Sequence, residues 1–361
     1  MCDATRLDPP QGWTPATALV TGADGVLAAR LISHLRVGGT QVVGLVAPDA
    51  STWRIPAGTS LVRGELHHAD DVRSALGRFE RAPEVCFHVP DRHDGGNFAE
   101  LGLEPEANRV PALNAATQVI AEACLDHGVP ALVFASTAAV LAPTNAPHGL
   151  DETARVGPIT SSGRAALAAE RTLRELAGTG RVGAAILRLF AVGGVGVGDA
   201  NRDLAELWLI GRALRAASGR GEPVPLRVNR SDTDDGTAVR DHVHIDDLVD
   251  ALCRSASLVL QRSHGGDAGV ELFHLGSGVG RSARDILALV EEITGLKVPI
   301  VPIEADADSR PTPGRLIARP ERLRRRLGMH PDGDVRRMIG DTAIALGMSR
   351  KLIAGCDDPT R

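Results

Sequence analysis

The sequence predicts an α/β protein built on a doubly wound parallel sheet, with a smaller C-terminal α/β lobe. From Ala16 to about Val195, short apolar runs rich in β-branched residues alternate with longer helical patterns rich in Ala and Leu. This alternation is typical of a doubly wound sheet. The runs are apolar almost without interruption, as expected of parallel strands that are covered on both faces. The predicted strands are, in chain order, residues 17–22, 41–46, 59–64, 84–89, 131–136 and 182–190.

Pro and Gly residues break this rhythm after Gly198, where the second lobe is predicted to begin. The pattern there predicts, in chain order, a helix near 201–218, a strand near 224–228, a helix at 246–262, a strand near 270–278, a helix at 281–294, a strand at 297–303 and two terminal helices. We therefore expect an N-terminal tail (1–15), a first domain (16–198) and a second lobe (199–361) that is interleaved with the last strands of the sheet.

The charge and hydropathy of the chain bound its partners. The 361 residues carry a net charge of −5, and charges of both signs are interspersed. One basic run, residues 319–328, is interpreted as a solvated helix face, so no basic surface for nucleic acid is predicted. The N-terminus has no apolar signal-like segment, and no 18-residue uncharged apolar run occurs. We therefore expect a cytoplasmic protein with no membrane association.

The cysteines and histidines do not indicate a metal site. The chain has five cysteines, and their spacing fits neither a metal site nor a disulfide framework. Free thiols in a reducing compartment are the expectation. His242 and His244 would share one face of a strand, as metal ligands can. A packing role for both is the favoured interpretation, and no bound metal is predicted.

The clearest chemical motif follows the first predicted strand. Gly22 and Gly25 lie in the predicted turn before the first helix, in a G-x-x-G-x-x-A pattern whose last member is Ala28. Glycines there let backbone amides approach a pyrophosphate at the helix N-terminus. Ala28 can replace the usual third glycine because it still permits close helix–strand packing. The motif predicts a Rossmann-type NAD(P)-binding domain over residues 16–198.

Six further segments occur in the order of one known family, and they carry a resemblance from about Ala18 to Arg337. In chain order they are RGEL (63–66), FH (87–88), FASTAAV (134–140), LRLFAVGG (187–194), DDGTAVRDHVHIDDLVDAL (234–252) and FHLGSGVGRSARDI (273–286). Together they resemble the extended short-chain dehydrogenase/reductase family, specifically its NAD-dependent nucleotide-sugar epimerases and dehydratases. The resemblance implies an isomerase or lyase that binds NAD and a nucleotide sugar.

The resemblance also implies site residues, carried over position by position. The pyrophosphate loop falls on Gly22, Ala23, Asp24, Gly25, Val26 and Leu27. The adenine contact falls on Glu65 and Leu66, and the nicotinamide end on Val89, Pro90, His93 and Phe190. A catalytic hydroxyl falls on Thr137, and the substrate diphosphate falls on Arg240, with Arg310 as a second phosphate ligand.

Several positions depart from the family pattern. The acidic residue that binds the adenosine ribose of NAD is replaced by Val46, and Asp49 follows three residues later. NADP is therefore not excluded as the cofactor. Ala191 and Leu113 stand where the family has asparagines, and Asn114 lies beside the second of these positions.

The largest departure is the missing catalytic pair. The family's Y-x-x-x-K falls on Ser162 and Ala166, and the chain has no tyrosine at all. Two alternatives follow. Either another side chain supplies the base, with His88, Asp91, His93 and Asp151 as candidates, or redox chemistry was lost and the protein is a cofactor-binding or nucleotide-sugar-binding module. The two predicted helices 104–128 and 162–177 have Ala- and Leu-rich faces, and in relatives the equivalent pair forms a homodimer.

Overall fold

A computed structural model describes residues 13–90, 109–144, 149–195, 208–228, 233–303 and 313–348. The helices and strands, numbered in chain order, are β1 (Thr17–Thr21), α1 (Val26–Val37), β2 (Gln41–Val46), β3 (Ser60–Arg63), α2 (Ala69–Leu76), β4 (Val85–His88), α3 (Arg109–Asp126), β5 (Ala131–Thr137), α4 (Ser161–Ala177), β6 (Gly183–Leu189), β7 (Ala191–Gly193), α5 (Leu209–Ala217), β8 (Val224–Arg227), β9 (Val239–His244), α6 (Ile245–His264), β10 (Val270–Leu275), β11 (Gly280–Ser282), α7 (Ala283–Thr294), β12 (Ile300–Ile303), β13 (Arg315–Leu316), α8 (Glu321–Leu327) and α9 (Val335–Ala345).

The predicted doubly wound parallel sheet is confirmed. Seven strands pair in the order β10-β6-β5-β4-β1-β2-β3, and every pairing is parallel. One face is covered by α1 and α6, and the other by α2, α3 and α4. The strand order reverses between β1 and β4, and ligands of such sheets bind at the carboxyl ends of the strands beside this reversal.

The second lobe is built from short elements around its own apolar cluster. The cluster joins α5, β8, α7 and α9. A two-stranded parallel sheet pairs β8 with β12, and β9 lies between β11 and β13 while also pairing with β7. The chain returns from this lobe to the central sheet through α6 and β10.

One predicted helix begins two residues later than its pattern indicates, and the start of another lies outside the described residues. The helix predicted at 281–294 begins at Ala283, because residues Gly280–Ser282 pair with β9 as a strand and Ser282 then caps the helix with Asp285. The helix predicted near 201–218 is described only from Leu209, since residues 196–207 lie outside the described part. None of the described helices is long and apolar enough to span a bilayer.

A buried ion pair fastens α4 to the sheet. Glu170 and Arg188 are almost fully buried, and Arg188 donates from Nε to Glu170 Oε1 at 2.9 Å and from Nη2 to Oε2 at 2.8 Å. Ser136 Oγ donates to the same carboxylate at 2.6 Å, and Arg174 donates to it at 3.0 Å. Burial alone would raise the pKa of Glu170, but these donors, Arg188 above all, hold it below its usual value. The carboxylate therefore joins α4, β5 and β6.

The turn after β1 packs tightly against the end of β4. Gly22 has a φ of +67°, and a Cβ there would lie 2.2 Å from the carbonyl oxygen of Val89. The amide of Val89 in turn donates to Thr21 O at 3.2 Å. Only glycine satisfies both the backbone conformation and this close approach.

We expect Arg188→Met to lower the free energy of unfolding by about 3–5 kcal/mol, because it leaves the Glu170 carboxylate buried without its main partner. Urea denaturation measures this. The double variant Glu170→Leu with Arg188→Met removes both charges and should lose less than the single variant. As a control, Arg336→Met breaks the exposed ion pair with Glu292 and should cost less than about 1 kcal/mol. Equal losses for Arg188→Met and Arg336→Met would contradict the assignment.

We expect Gly22→Ala to destabilise the protein more than Gly39→Ala does. Gly39 also has a positive φ, +85°, but a Cβ there would meet nothing within 4 Å. Its substitution should therefore cost only the conformational term, about 1–2 kcal/mol. The methyl group at position 22 must in addition displace the Val89 carbonyl. Urea denaturation of the two variants side by side isolates that contact, and equal losses would show that it is unimportant.

Candidate active site

The first turn of α1 offers backbone donors to an anion. Gly25 is the N-cap in an extended conformation, no side chain caps the helix, and its first turn has no acidic residue. The amide of Ala23 already donates to Leu45 O at 3.1 Å, and the amide of Gly25 donates to Gly22 O at 2.9 Å. The amides of Val26 and Leu27 are helix-terminal groups that have no intrahelical acceptor. Together with the positive end of the helix dipole, they fit a pyrophosphate.

His88 lies beneath this loop as a structural residue. Thr117 Oγ1 donates to Leu113 O at 2.8 Å, so it accepts from His88 Nε2 at 3.1 Å. His88 Nδ1 then accepts from Thr21 Oγ1 at 2.8 Å. Complete burial lowers the pKa of His88 to about 3, which keeps the ring neutral. His88 thus has both ring nitrogens engaged and no exposure, and it does not fit the role of a substitute base.

None of the other candidate residues provides a substitute base within the described structure. Asp151 is a surface carboxylate that accepts from the Thr153 hydroxyl at 2.5 Å and from the Thr153 amide at 3.0 Å. These hydrogen bonds lower its pKa, so it is a weaker base than an ordinary aspartate. Asp91 and His93 lie outside the described residues.

The two candidate catalytic hydroxyls lie at one end of the site. Thr137 is the last residue of β5, and its Oγ1 accepts from the Ala139 amide at 3.1 Å. Ser162 is in the first turn of α4, beside Gly163. A Cβ on Gly163 would lie 2.2 Å from Ala139 O, so the start of α4 rests directly on the turn that follows Thr137. The close contact explains why a glycine follows Ser162.

Among the described residues, Ser162 forms no hydrogen bond with a titratable side chain. Its Oγ lies 3.2 Å from the Oγ1 of Thr160, the residue that caps α4 by accepting from the Gly163 amide at 3.1 Å. This is the one polar side-chain contact of Ser162 among the described residues. Ala166, one helical turn later, is 4% exposed and packs in an apolar cluster with Phe190, Leu316 and neighbouring residues. No cation therefore occupies the position one turn after Ser162.

Arg240 lies on β9, between the second lobe and the sheet. It is 7% exposed, and its Nη1 donates to Val239 O at 2.9 Å and Gly314 O at 3.4 Å. The Cα of Arg240 pairs with that of Leu316, a member of the apolar cluster around Phe190. The backbone of β9 at Arg240 thus lies beside a strand that contributes to the cluster of Ala166 and Phe190. Arg310, the other candidate phosphate ligand, lies outside the described residues.

Asp241 fixes this part of β9. Its carboxylate accepts four hydrogen bonds, from the Ser277 amide and hydroxyl, the Gly278 amide and the Ala318 amide, at 2.6–3.0 Å. Burial raises the pKa of Asp241, an effect that the four donors oppose. The neighbouring His244 accepts from the Asp246 amide and so caps α6. His242 is also buried, and no group of three or more metal-ligating side chains occurs in the part of the chain that the structure describes.

The ends of β2 and β3 lie side by side, where the sequence predicted contacts with the adenosine of a cofactor. Val46, the last residue of β2, is fully buried, and its Cα pairs with that of Arg63. Glu65 follows β3, and its amide donates to Asp71 at 2.8 Å, while Leu66 packs against the core. Arg63 is a residue that the sequence did not single out, because its place beside Val46 depends on strand register.

Comparison with known proteins identifies the family of this chain. The model of the NAD dependent epimerase/dehydratase family matches residues 18–268. UDP-glucose 4-epimerase of Azospirillum brasilense is 32% identical over 344 residues, which cover 92% of each chain. A UDP-glucose 4-epimerase from Brucella ovis, solved in complex with NAD, has the same fold, with a TM-score of 0.74 at 24% identity over 92% of this chain and 99% of that one. MoeE5, solved in complex with UDP-glucose and NAD, has a TM-score of 0.71 at 26% identity over 91% of this chain and 98% of that one.

The motif resemblance is thereby confirmed at the level of the family. The matched segment contains the β1–α1 loop, Thr137, Ser162 and Arg240, and it covers more than half of the chain. The chain belongs to the NAD-dependent epimerase/dehydratase family.

Proposed function

We propose that this protein binds NAD and a UDP-sugar and acts as an epimerase-type enzyme with a non-standard active site. The observation that carries the proposal is the end-to-end similarity to a UDP-glucose 4-epimerase, which covers 92% of each chain. Thr137 and the residues proposed for the cofactor end or follow strands of the doubly wound sheet, at the strand ends that such a sheet uses for ligands.

The β1–α1 loop is the proposed cofactor site, and its donors fit a dinucleotide. The amides of Val26 and Leu27 would hold the pyrophosphate, and Glu65 would hold the adenine. Val89, Pro90 and Phe190 would line the nicotinamide end, where the bound cofactor would supply an acceptor for a hydride from the sugar. We propose the division between residues 16–198 and 199–361 as cofactor side and substrate side of one cleft.

Arg240 and Thr137 are the proposed substrate residues. The guanidinium of Arg240 is suited to a diphosphate because its donors form a planar fork. The Thr137 hydroxyl would hydrogen-bond the sugar oxygen that gains or loses a proton. Arg310 is retained as a second phosphate ligand by resemblance alone.

Ser162 and Ala166 replace the family's proton-transfer pair, and the replacement limits the chemistry. A serine hydroxyl without a neighbouring base or cation cannot readily take a proton at neutral pH. The loss of a positioned general base typically costs about 10²–10⁴-fold in rate. We therefore propose that interconversion of UDP-glucose and UDP-galactose is slow or absent in this protein.

A second candidate function is a binding module that retains cofactor and nucleotide-sugar affinity without redox turnover. Two observations favour it: Ser162 contacts only the Thr160 hydroxyl among described polar side chains, and Ala166 is packed in an apolar cluster. We propose a homodimer in either case, formed through α3 and α4, which pack side by side on one face of the sheet.

We expect isothermal titration calorimetry to detect UDP binding, and Arg240→Ala to weaken it by about 1.5–3 kcal/mol, the scale of a hydrogen bond to a charged group. The control is Arg325→Ala, which removes an exposed guanidinium from α8 and should leave the affinity unchanged. If UDP and UDP-glucose bind the Arg240→Ala variant as tightly as they bind the wild type, the substrate assignment is wrong.

We expect the wild type to interconvert UDP-glucose and UDP-galactose at well below about 1 s⁻¹, and the double variant Ser162→Tyr with Ala166→Lys to gain nicotinamide reduction. The two positions lie one helical turn apart on α4, so a phenol and an ammonium can act together. Ala166→Lys alone should remain inactive. Circular dichroism checks that the double variant is folded, since the lysine enters an apolar cluster.

Two outcomes decide between the candidate functions. A wild type that epimerises at an ordinary rate would contradict the importance of the missing pair. A folded, NAD-bound double variant that stays inactive would favour the binding module.

A further inference from the structure

The adenosine end of the proposed cofactor site has a guanidinium beside the position at which the family has a carboxylate. In Rossmann-type domains a residue at the end of the second strand contacts the ribose 2′-hydroxyl, and an arginine nearby accommodates a 2′-phosphate. In this chain the end of β2 is Val46, which is buried and whose side chain can accept no hydrogen bond. Arg63 ends β3 in direct register with it.

The Arg63 side chain is held across the end of β2. Its Nη1 donates to Pro48 O at 2.9 Å and to Ala50 O at 3.0 Å, two carbonyls of the loop that follows Val46. The side chain is exposed, and within the described structure no hydrogen bond or ion pair engages its Nε or Nη2. The guanidinium is therefore held in place by Nη1, and its Nε and Nη2 groups remain available as donors.

The nearby carboxylates do not neutralise Arg63. Asp49 lies between the two bonded carbonyls, but it is exposed and forms no ion pair with Arg63 in the described structure. The Glu65 side chain lies near His67, with 3.9 Å between Oε2 and Nδ1. Arg54, which lies in the β2–β3 loop, is positioned over the Trp53 ring, 4.5 Å from its centroid. Arg63 thus presents its charge to the space beyond the end of β2.

We infer that Arg63 forms a 2′-phosphate subsite, so that NADP binds this protein at least as tightly as NAD. The inference rests on the proposed function, since it concerns the adenosine end of the same cofactor site. The fork of the guanidinium matches a phosphate, and such charge-assisted hydrogen bonds are stronger than neutral ones. NAD gains no equivalent bond from Val46, because an isopropyl group cannot accept from the ribose hydroxyl.

The test compares Arg63→Gln with the wild type by calorimetric titration of NADP⁺, NAD⁺ and the fragments 2′,5′-ADP and 5′-AMP, so that no turnover is needed. We expect Arg63→Gln to weaken NADP⁺ and 2′,5′-ADP about tenfold or more, with NAD⁺ and 5′-AMP changed less than about twofold. Arg63→Lys keeps the charge but loses the fork, and its affinity for NADP⁺ should fall between the two.

The matched control is Arg36→Gln. Arg36 also bonds carbonyls of the β2–β3 loop, those of Pro56 and Ala57, but it does so from α1. The Arg36→Gln substitution should therefore loosen the loop without changing the ratio of the NADP⁺ affinity to the NAD⁺ affinity.

Three results would overturn the inference. In the first, NADP⁺ binds the wild type tenfold or more weakly than NAD⁺; in the second, Arg63→Gln weakens the binding of both dinucleotides equally. Either result would show that Arg63 only holds the loop in place, and the proposed function would stand. A folded wild type that binds neither dinucleotide and neither fragment would remove the proposed function as well.

Discussion

The buried ion pair between Glu170 and Arg188 is the constraint on which the geometry of the site depends. Glu170, Arg188 and the Ser136 hydroxyl that joins them each lie close in sequence to a candidate site residue. Ser136 precedes Thr137, Arg188 lies two residues before Phe190, and Glu170 lies about two helical turns after Ser162. A shift of α4 along the sheet would separate the carboxylate from its donors in a low-dielectric interior, where an unpaired charge is costly. The pair therefore fixes the relative positions of all three site residues.

The same interior explains how the fold accommodates Ser162 and Ala166 at the positions proposed to replace the proton-transfer pair. Ser162 and Ala166 lie on the face of α4 that meets the apolar cluster around Phe190, whereas Glu170 lies one turn further on, where the polar network begins. The proposed acid–base positions and the buried ion pair thus lie on successive turns of one helix. A change in the first two turns alters the acid–base groups without disturbing the charges that hold the helix in place.

The sequence predicted the parts of the molecule that depend on local pattern. All six strands proposed for the first domain are present, because a continuous apolar run between turn residues has one stable place in a covered parallel sheet. The positions of Thr137, Ser162 and Arg240 followed from motifs. The start of α7 did not, because Gly280–Ser282 become a strand only through pairing with β9. Arg63 was missed for a similar reason, since nothing local to RGEL tells that its arginine crosses the end of β2. His93 and Arg310, predicted for the site, lie outside the described residues.

The interruption of the sheet by the second lobe bears on how the chain is synthesised. Strand β10 and helix α6, which complete one edge and cover one face of the sheet, come from residues 245–275, after the elements α5, β8 and β9 of the other lobe. A nascent chain that has emerged only as far as β6 exposes the unpaired edge of that strand and the apolar face that α6 later covers. Such edges and faces invite association between chains. The first domain therefore cannot be completed before α5, β8 and β9 of the second lobe have been synthesised.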